Sequence, residues 1–126
     1  MHRDLKVSAW IGKFSDAHDL IQYVETRYDA GGNSMNQFWS EIGISWFDDD
    51  FREASMLPPG NDTLADELRG FSYGESFADE LLRRLLDVRR PGMDGLILLY
   101  DFDYHGAVAQ RPQSRVMFVG SFDYHK

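Results

Sequence analysis

The chain has 126 residues, no cysteine, 43% apolar residues and a formal net charge of −8 at pH 7. The length and apolar content predict one domain over residues 1–126, and the lack of cysteine excludes disulfides, a thiol nucleophile and thiolate metal sites. No apolar run approaches the roughly 18 residues of a membrane span, and the first residues lack a signal-peptide core, so we expect a cytoplasmic protein without a membrane partner.

The first third of the chain predicts one strand and two helices. Lys6–Gly12 reads as a strand, with Val7, Ala9 and Ile11 on one face and Trp10 on the other. Ser15 is a predicted N-cap, and helical spacing marks the buried stripe of the helix behind it: Ala17, Leu20, Ile21, Val24 and Tyr28. Ser34 opens a capping box for a second helix that ends at Gly43. Its apolar side would carry Met35, Phe38, Trp39 and Ile42.

The middle of the chain predicts a short strand followed by two more helices. Residues 44–47 read as the strand, and Pro58-Pro59 breaks the chain behind it. Asn61 is the expected cap of a short helix that ends at Gly70 and buries Leu64 and Leu68. Ser72 and Glu75 match a capping box before a long helix. That helix would bury Phe77, Ala78, Leu81, Leu82, Leu85 and Leu86. Arginines near its end suit the helix dipole: Arg83, Arg84, Arg89 and Arg90.

The C-terminal third predicts two strands. Gly95–Tyr104 begins as a run that is apolar on both faces, with the even-numbered residues 96–100 on one face and Ile97 and Leu99 on the other. Arg115–Tyr124 is the second, with Val116, Phe118, Phe122 and Tyr124 sharing a face. We predict that these two strands form an antiparallel hairpin. The resulting fold class is α+β, a single mixed or antiparallel sheet of about four strands in the order β-α-α-β-α-α-β-β, with helices packed on it.

The negative charge is concentrated in residues 28–82, which carry 12 acids and 2 bases, whereas the remainder carries 9 acids and 11 bases. A field of this sign disfavours nucleic acid as a direct partner and favours a basic one. The alternative is a solvated face that serves solubility.

The densest acidic patch is flanked by aromatic residues. Asp48-Asp49-Asp50 and Glu53 lie beside Trp46, Phe47 and Phe51. Aromatic anchors beside a charged rim are typical of protein interfaces. We therefore predict partner binding by Trp46, Asp48, Asp49, Asp50, Phe51 and Glu53. The alternative is an acidic turn whose aromatic residues belong to the core.

Two constellations leave an enzymatic function open. Gly70 to Gly74 fits the G-x-S-x-G nucleophile elbow around Ser72, although that motif requires a preceding strand. Asp101, Asp103 and His105 would share one face of an extended strand and could bind a divalent metal. The tetrapeptide Phe-Asp-Tyr-His occurs at 102–105 and 122–125, and the hairpin would place Asp101 and Asp123 roughly 15–20 Å apart. A helix cap and solvated strand ends are the structural alternatives, and no sequence motif calls for a cofactor.

Several short segments together resemble a known family. They are Trp10-Ile11-Gly12, Phe47-Asp48-Asp49-Asp50-Phe51, Ser72-Tyr73 with Ser76-Phe77, Leu98-Leu99-Tyr100-Asp101-Phe102 and Phe118-Val119-Gly120. In this order they look like the immunity protein 22 family of bacterial polymorphic toxin systems. The resemblance implies a small α+β protein that is not an enzyme and neutralises a cognate toxin encoded beside it. Together with the acidic field, it predicts a basic toxin as partner, for example a nuclease, whose active site the acidic surface would block. A small hydrolase or metal-dependent enzyme is the alternative function.

Overall fold

The structure is a computed structural model that describes residues 5–44, 47–104 and 115–125. Six strands lie in these ranges: β1 (Lys6–Gly12), β2 (Arg27–Tyr28), β3 (Ser34–Met35), β4 (Arg52–Met56), β5 (Gly95–Tyr100) and β6 (Val116–Asp123). Four α-helices accompany them: α1 (Ala17–Val24), α2 (Gln37–Ile42), α3 (Leu64–Arg69) and α4 (Gly74–Val88). A 3-10 turn, Asp49–Phe51, leads into β4. None of the helices in the described ranges is long and apolar enough to cross a membrane.

Four strands form an antiparallel sheet in the order β4-β5-β1-β6, which confirms the α+β class. The predicted C-terminal hairpin is wrong, because β1 lies between β5 and β6 and pairs with both. In this register Val7 is opposite Tyr100 on one side and Phe122 on the other. Strand β1 is buried over almost its whole length, because its central position covers both of its faces and pairs both of its hydrogen-bonding edges.

Each face of the sheet carries its own hydrophobic cluster. Helices α3 and α4 cover the face that holds Val7, Ala9 and Ile11. Helices α1 and α2 cover the opposite face, which holds Trp10. The predicted alternation along β5 is confirmed: Leu96, Leu98 and Tyr100 lie on the α4 side, Ile97 and Leu99 on the α1 side. The sheet is thus the middle of three layers.

Both C-terminal strands depart from their predicted patterns. Strand β5 ends at Tyr100, and Asp101 has a left-handed backbone with φ +56°. The predicted extended face carrying Asp101 and Asp103 is therefore wrong. In β6 the pairing register shifts opposite Ala9 and Trp10, and the buried face changes there. Val116 and Phe118 consequently pack on the α1 side, whereas Phe122 and Tyr124 pack on the α4 side, so the single predicted face is wrong as well.

The predicted N-caps are each displaced by one or two residues. Asp16, not Ser15, caps α1 by accepting from the Asp19 amide at 2.8 Å. Asn36, not Ser34, caps α2 and also donates to the Val24 carbonyl. The Gly43 stop is confirmed, since this residue adopts φ +81° at the end of α2. Where two capping residues stand close together, only the tertiary position decides which one starts the helix.

Helix α1 is shorter than predicted, because Glu25 is already extended. The chain then forms the small hairpin β2–β3, which the sequence did not reveal. Four side chains assigned to buried stripes are exposed here: Ala17, Ile21, Tyr28 and Met35. The predicted burial of Leu20, Val24, Phe38, Trp39 and Ile42 is confirmed.

The middle of the chain contains a strand where none was predicted. The expected strand over 44–47 includes Ser45 and Trp46, which lie outside the described residues, and neither Ile44 nor Phe47 is in a strand. Instead Arg52–Met56 forms β4, which pairs with β5 at the edge of the sheet. Arg-Glu-Ala-Ser-Met has little intrinsic strand preference, so pairing with the apolar β5 determines its conformation.

The C-terminal helices confirm the predicted core but not its caps. Leu64, Leu68, Phe77, Ala78, Leu81 and Leu85 are buried as predicted, whereas Leu82 is only partly buried and Leu86 is exposed. Thr63 rather than Asn61 precedes α3, and Tyr73 rather than Ser72 precedes α4. Arg89 does more than suit the helix dipole. Its guanidinium donates to the Pro58 carbonyl and to the Asp94 carboxylate at 2.7 Å.

Candidate functional site: an acidic cleft lined by aromatic rings

The acidic segment, residues 48–53, is a turn built by its own carboxylates. Asp48 accepts from the Asp50 amide at 3.0 Å and so caps the 3-10 turn that follows. Asp49 accepts from the Arg52 guanidinium at 3.0 Å and from the Thr26 hydroxyl at 3.1 Å. These two acids therefore stabilise the turn, and the charge of Asp49 is partly neutralised.

The remaining members of the segment separate into outward and inward groups. Asp50 is exposed and the Phe51 side chain is 42% exposed. Glu53 instead accepts from the Tyr100 hydroxyl at 2.6 Å and from the Ser72 amide at 2.9 Å. Trp46 lies outside the described residues. Phe47 packs on Phe102 with ring centroids 5.4 Å apart, which supports the core alternative for this one aromatic residue.

Three tyrosine rings meet beside the acidic segment. Tyr100 and Tyr124 are 5.3 Å apart between centroids, and Tyr73 lies 5.6 Å from Tyr124 and 6.0 Å from Tyr100. Together with Asp50, Phe51 and Glu53 they line a cavity of about 160 Å³, which we call the tyrosine cleft. The cleft brings together the ends of three elements, β4, β5 and α4, and the residue just after β6.

Two of these phenols are tied to carboxylates. The Tyr124 hydroxyl donates to Asp101 at 2.5 Å, as the Tyr100 hydroxyl does to Glu53. Burial raises the pKa of Tyr100, and its hydrogen bond to Glu53 raises it further. Burial and the bond to Asp101 raise the pKa of Tyr124 in the same way. Both phenols therefore stay protonated at neutral pH and keep their hydroxyl groups turned toward the acids.

The backbone holds the cleft in an unusual conformation. Tyr73 and Asp101 both adopt φ values near +57°, at +58° and +56°, which non-glycine residues rarely do. Gly74 follows Tyr73, and a Cβ there would lie 2.4 Å from the Leu68 carbonyl oxygen. The turn between α3 and α4 is thus tight enough to fix Tyr73 against the other rings, with its side chain 46% exposed.

A larger groove of about 780 Å³ lies on the opposite side of the sheet, beside α1, α2 and the β2–β3 hairpin. Its charged groups are of both signs and several are paired. Arg115 contacts Asp19 at 2.6 Å and stacks over the Phe14 ring at 4.5 Å. This groove lacks the single-sign field of the acidic segment, so we regard the tyrosine cleft and its rim as the better candidate for a basic partner.

The family model described as Immunity protein 22 matches residues 7–125. The chain belongs to this family. No curated protein and no solved structure matches it. Family membership implies a toxin as partner, and it confirms the resemblance carried by the segments from Trp10 to Gly120.

The G-x-S-x-G motif around Ser72 does not have the geometry of a nucleophile elbow. Helix α3, rather than a strand, precedes Ser72, so the required strand–serine–helix context is missing. The contribution of Ser72 is made by its backbone, since its amide donates to Glu53 and its carbonyl oxygen lies 2.9 Å from the Tyr100 hydroxyl. Its predicted capping role is also wrong, because no side chain caps α4.

The second constellation is dispersed as well. Asp101 accepts from Tyr124, whereas Asp123 pairs with Lys6 at 2.6 Å. His105 lies outside the described residues. Within those residues, no group of three or more histidine or acidic side chains is placed to hold a metal ion. The two Phe-Asp-Tyr-His copies are not separated by a hairpin, since Tyr124 of the second copy contacts the residue preceding the first.

The Asp19–Arg115 pair predicts that part of the free energy of unfolding depends on pH in the acidic range. The hydrogen bond from Arg115 is the main cause that lowers the pKa of Asp19 to about 2, from an ordinary value of 3.8. Because the folded-state pKa is depressed, this contribution is fully present above the unfolded-state pKa and is lost as the pH falls from about 4 to 2. We expect the stability difference between the wild type and Asp19→Asn to shrink over this interval, as measured by urea unfolding at each pH.

The matched control for this prediction uses the partner residue. In an Arg115→Ala background, the effect of Asp19→Asn should depend much less on pH, because the main cause of the depressed pKa is gone. An equally strong pH dependence in both backgrounds would contradict the assignment to Arg115.

Proposed function

We propose that this chain neutralises a cognate protein toxin in the bacterial cytoplasm by covering a basic active site with the acidic segment and the rim of the tyrosine cleft. Membership of the Immunity protein 22 family is the observation that carries the proposal. Residues 28–82 carry 12 acids and only 2 bases, and this negative charge supports a basic partner, for example a nuclease.

The predicted binding residues differ in their contacts and exposure, which supports different roles for them. Asp48 and Asp49 hold the turn, Asp50 and Phe51 are exposed on it, and Glu53 lies within the cleft. Exposed charges at the rim of an interface mainly accelerate association. An exposed aromatic ring near the centre of an interface mainly slows dissociation. We therefore assign steering to Asp50 and anchoring to Phe51, with Trp46 still a predicted anchor.

The test is the association rate with the toxin encoded by the neighbouring gene. Asp50→Lys should reduce the association rate and flatten its dependence on salt, because it reverses an exposed charge at the proposed interface. The melting temperature should hardly change, since Asp50 is exposed and only its backbone amide contributes to the turn. Stopped-flow kinetics at two salt concentrations, together with thermal melts, measure both quantities.

Asp87→Lys provides the matched control. Asp87 is also exposed, and it lies roughly 20 Å along α4 from Tyr73, at a rise of about 1.5 Å per residue. The charge change is the same, so a loss of association with Asp50→Lys alone localises the interface. Equal rates for both variants would mean that the toxin binds elsewhere and that the acidic segment serves solubility.

A further inference from the structure

We propose that the tyrosine cleft is a receptor for one arginine side chain of the toxin. The proposal rests on the proposed function and specifies how this site would recognise its partner. It concerns the cavity of about 160 Å³ between β4, β5 and the start of α4. Cavities of roughly 150 Å³ hold one benzene-sized group, and a guanidinium with its adjoining methylenes is of this size.

The walls of the cleft favour a planar cation. The rings of Tyr73, Tyr100 and Tyr124 lie within 6.0 Å of one another, at mutual angles between 38° and 78°. Tyr100 and Tyr124 are only 5% and 1% exposed, so they form the buried back of the cleft, and the ring surfaces open to a guest are those of Tyr73 and Phe51. A cation within about 6 Å of an aromatic face is attracted by the ring quadrupole, and the attraction grows where water is excluded.

Carboxylates at the cleft add charge to this aromatic wall. Glu53 and Asp50 both line the cavity, and Glu53 is held there by Tyr100 and the Ser72 amide. A guanidinium can stack on the exposed ring of Tyr73 or Phe51 and donate to a carboxylate at the same time, whereas an ammonium presents no planar face.

Among the described residues that line the cavity, Arg52 is the one cation, and it does not oppose this. Arg52 lines the cavity, but its guanidinium donates to the Val24 carbonyl and to Asp49. Its charge is thus engaged outside the cleft by groups on the α1 side. A neutral apolar guest would leave the negative charge of Glu53 uncompensated within the cavity.

The first test needs no toxin. The probes are Nα-acetyl-arginine methylamide and its neutral analogue of the same shape, Nα-acetyl-citrulline methylamide, each titrated into the full chain. We expect the arginine amide to shift the ring NMR signals of Tyr73 and Tyr100 saturably, in the millimolar range, and the citrulline amide to bind at least about tenfold more weakly. Equal binding of both amides, or no saturable shift in that range, would overturn the proposal. Tighter binding of the corresponding lysine amide would also overturn it in favour of a general ammonium site.

Variants locate the binding and report on folding. Tyr73→Ala should abolish the saturable shift of Tyr100, whereas Tyr73→Phe should retain it because the ring face remains. Glu53→Gln should weaken the arginine amide several-fold, and the exposed Glu80→Gln should not. Tyr73 is half exposed, so these variants should fold, which circular dichroism checks.

The second test separates this proposal from the proposed function. With the cognate toxin, Tyr73→Ala should speed dissociation at least about tenfold, and Tyr73→Phe should not. If the toxin binds and Tyr73→Ala leaves dissociation unchanged, the cleft is not an arginine receptor in the complex, while the proposed function stands. If the toxin does not bind the wild type at all, the proposed function fails, and the amide titration alone decides whether the cleft takes a guanidinium.

Discussion

Replacing Trp10 with alanine should lower the free energy of unfolding by about 3–5 kcal/mol, the usual cost of removing a buried aromatic side chain. Trp10 is fully buried on the central strand β1. Its ring lies 5.1 Å from both Phe38 and Tyr104 and 5.4 Å from Phe118. The substitution would open a cavity between the sheet and α2 that these rigid rings cannot fill. Chemical denaturation monitored by circular dichroism measures the loss.

Trp10→Phe is the informative comparison. Within the described residues, the Trp10 indole nitrogen has no hydrogen-bond partner, although it is buried. Phenylalanine keeps most of the ring contacts and removes that unsatisfied donor, whose burial costs about 1–3 kcal/mol. We expect less than half of the alanine effect. A phenylalanine variant as unstable as the alanine variant would show that the indole nitrogen is bonded after all. Leu86→Ala, at an exposed position, should stay within about 0.5 kcal/mol.

The second large effect concerns Arg89. We expect Arg89→Ala to cost about 3–5 kcal/mol, because it removes one partner of a buried ion pair. The side chain is only 7% exposed and contacts Asp94 at 2.7 Å. It also donates to the carbonyls of Pro58 and Met93. Without the guanidinium, an acid and two carbonyls near the end of α4 lose their donor.

An exposed arginine within α4 and a lysine substitution provide the controls for Arg89, which lies just after this helix. Arg83→Ala removes an equal charge at an exposed position and should change the free energy of unfolding by less than about 0.5 kcal/mol. Arg89→Lys keeps the charge but not the forked donor geometry, so its cost should fall between the two. If Arg89→Ala resembles Arg83→Ala in thermal or urea melts, the arginine does not join these segments in solution.

The sequence predicted the fold class correctly, because the strands that define it have a strong apolar pattern and are almost fully buried. The alternating apolar faces of Lys6–Gly12 and Gly95–Tyr100 could be assigned because each strand is covered on both sides. The order of the strands in the sheet could not be predicted, because β1 and β5 carry the same pattern and nothing in the local sequence indicates which strand lies in the centre. The hairpin β2–β3 was missed since the helical spacing continues past Val24 to Tyr28.

The candidate site was predictable only in its contiguous part. Asp48, Asp49, Asp50, Phe51 and Glu53 form a visible cluster in the chain. The tyrosine cleft adds residues from three distant stretches, Tyr73, Tyr100 and Tyr124, and the sheet order decides that they meet. The even spacing of Tyr100 from Leu96 did indicate the face that its ring occupies. Only the position of β1 between β5 and β6 explains how Tyr124 reaches Asp101.

The central position of β1 also governs when the sheet can form. Ser8 in this strand donates to the carbonyl of Phe102, 94 positions away, and shares a hydrogen bond with Ser121, 113 positions away. Pairings so distant along the chain must close long loops before they gain any contact energy, which makes folding slow. During synthesis, β1 leaves the ribosome before the other strands of the sheet, gains its first neighbour only when β5 has been added and its second only when β6 has been added. The nascent chain therefore exposes its apolar central strand for most of its production time, and this interval is when it depends most on chaperones.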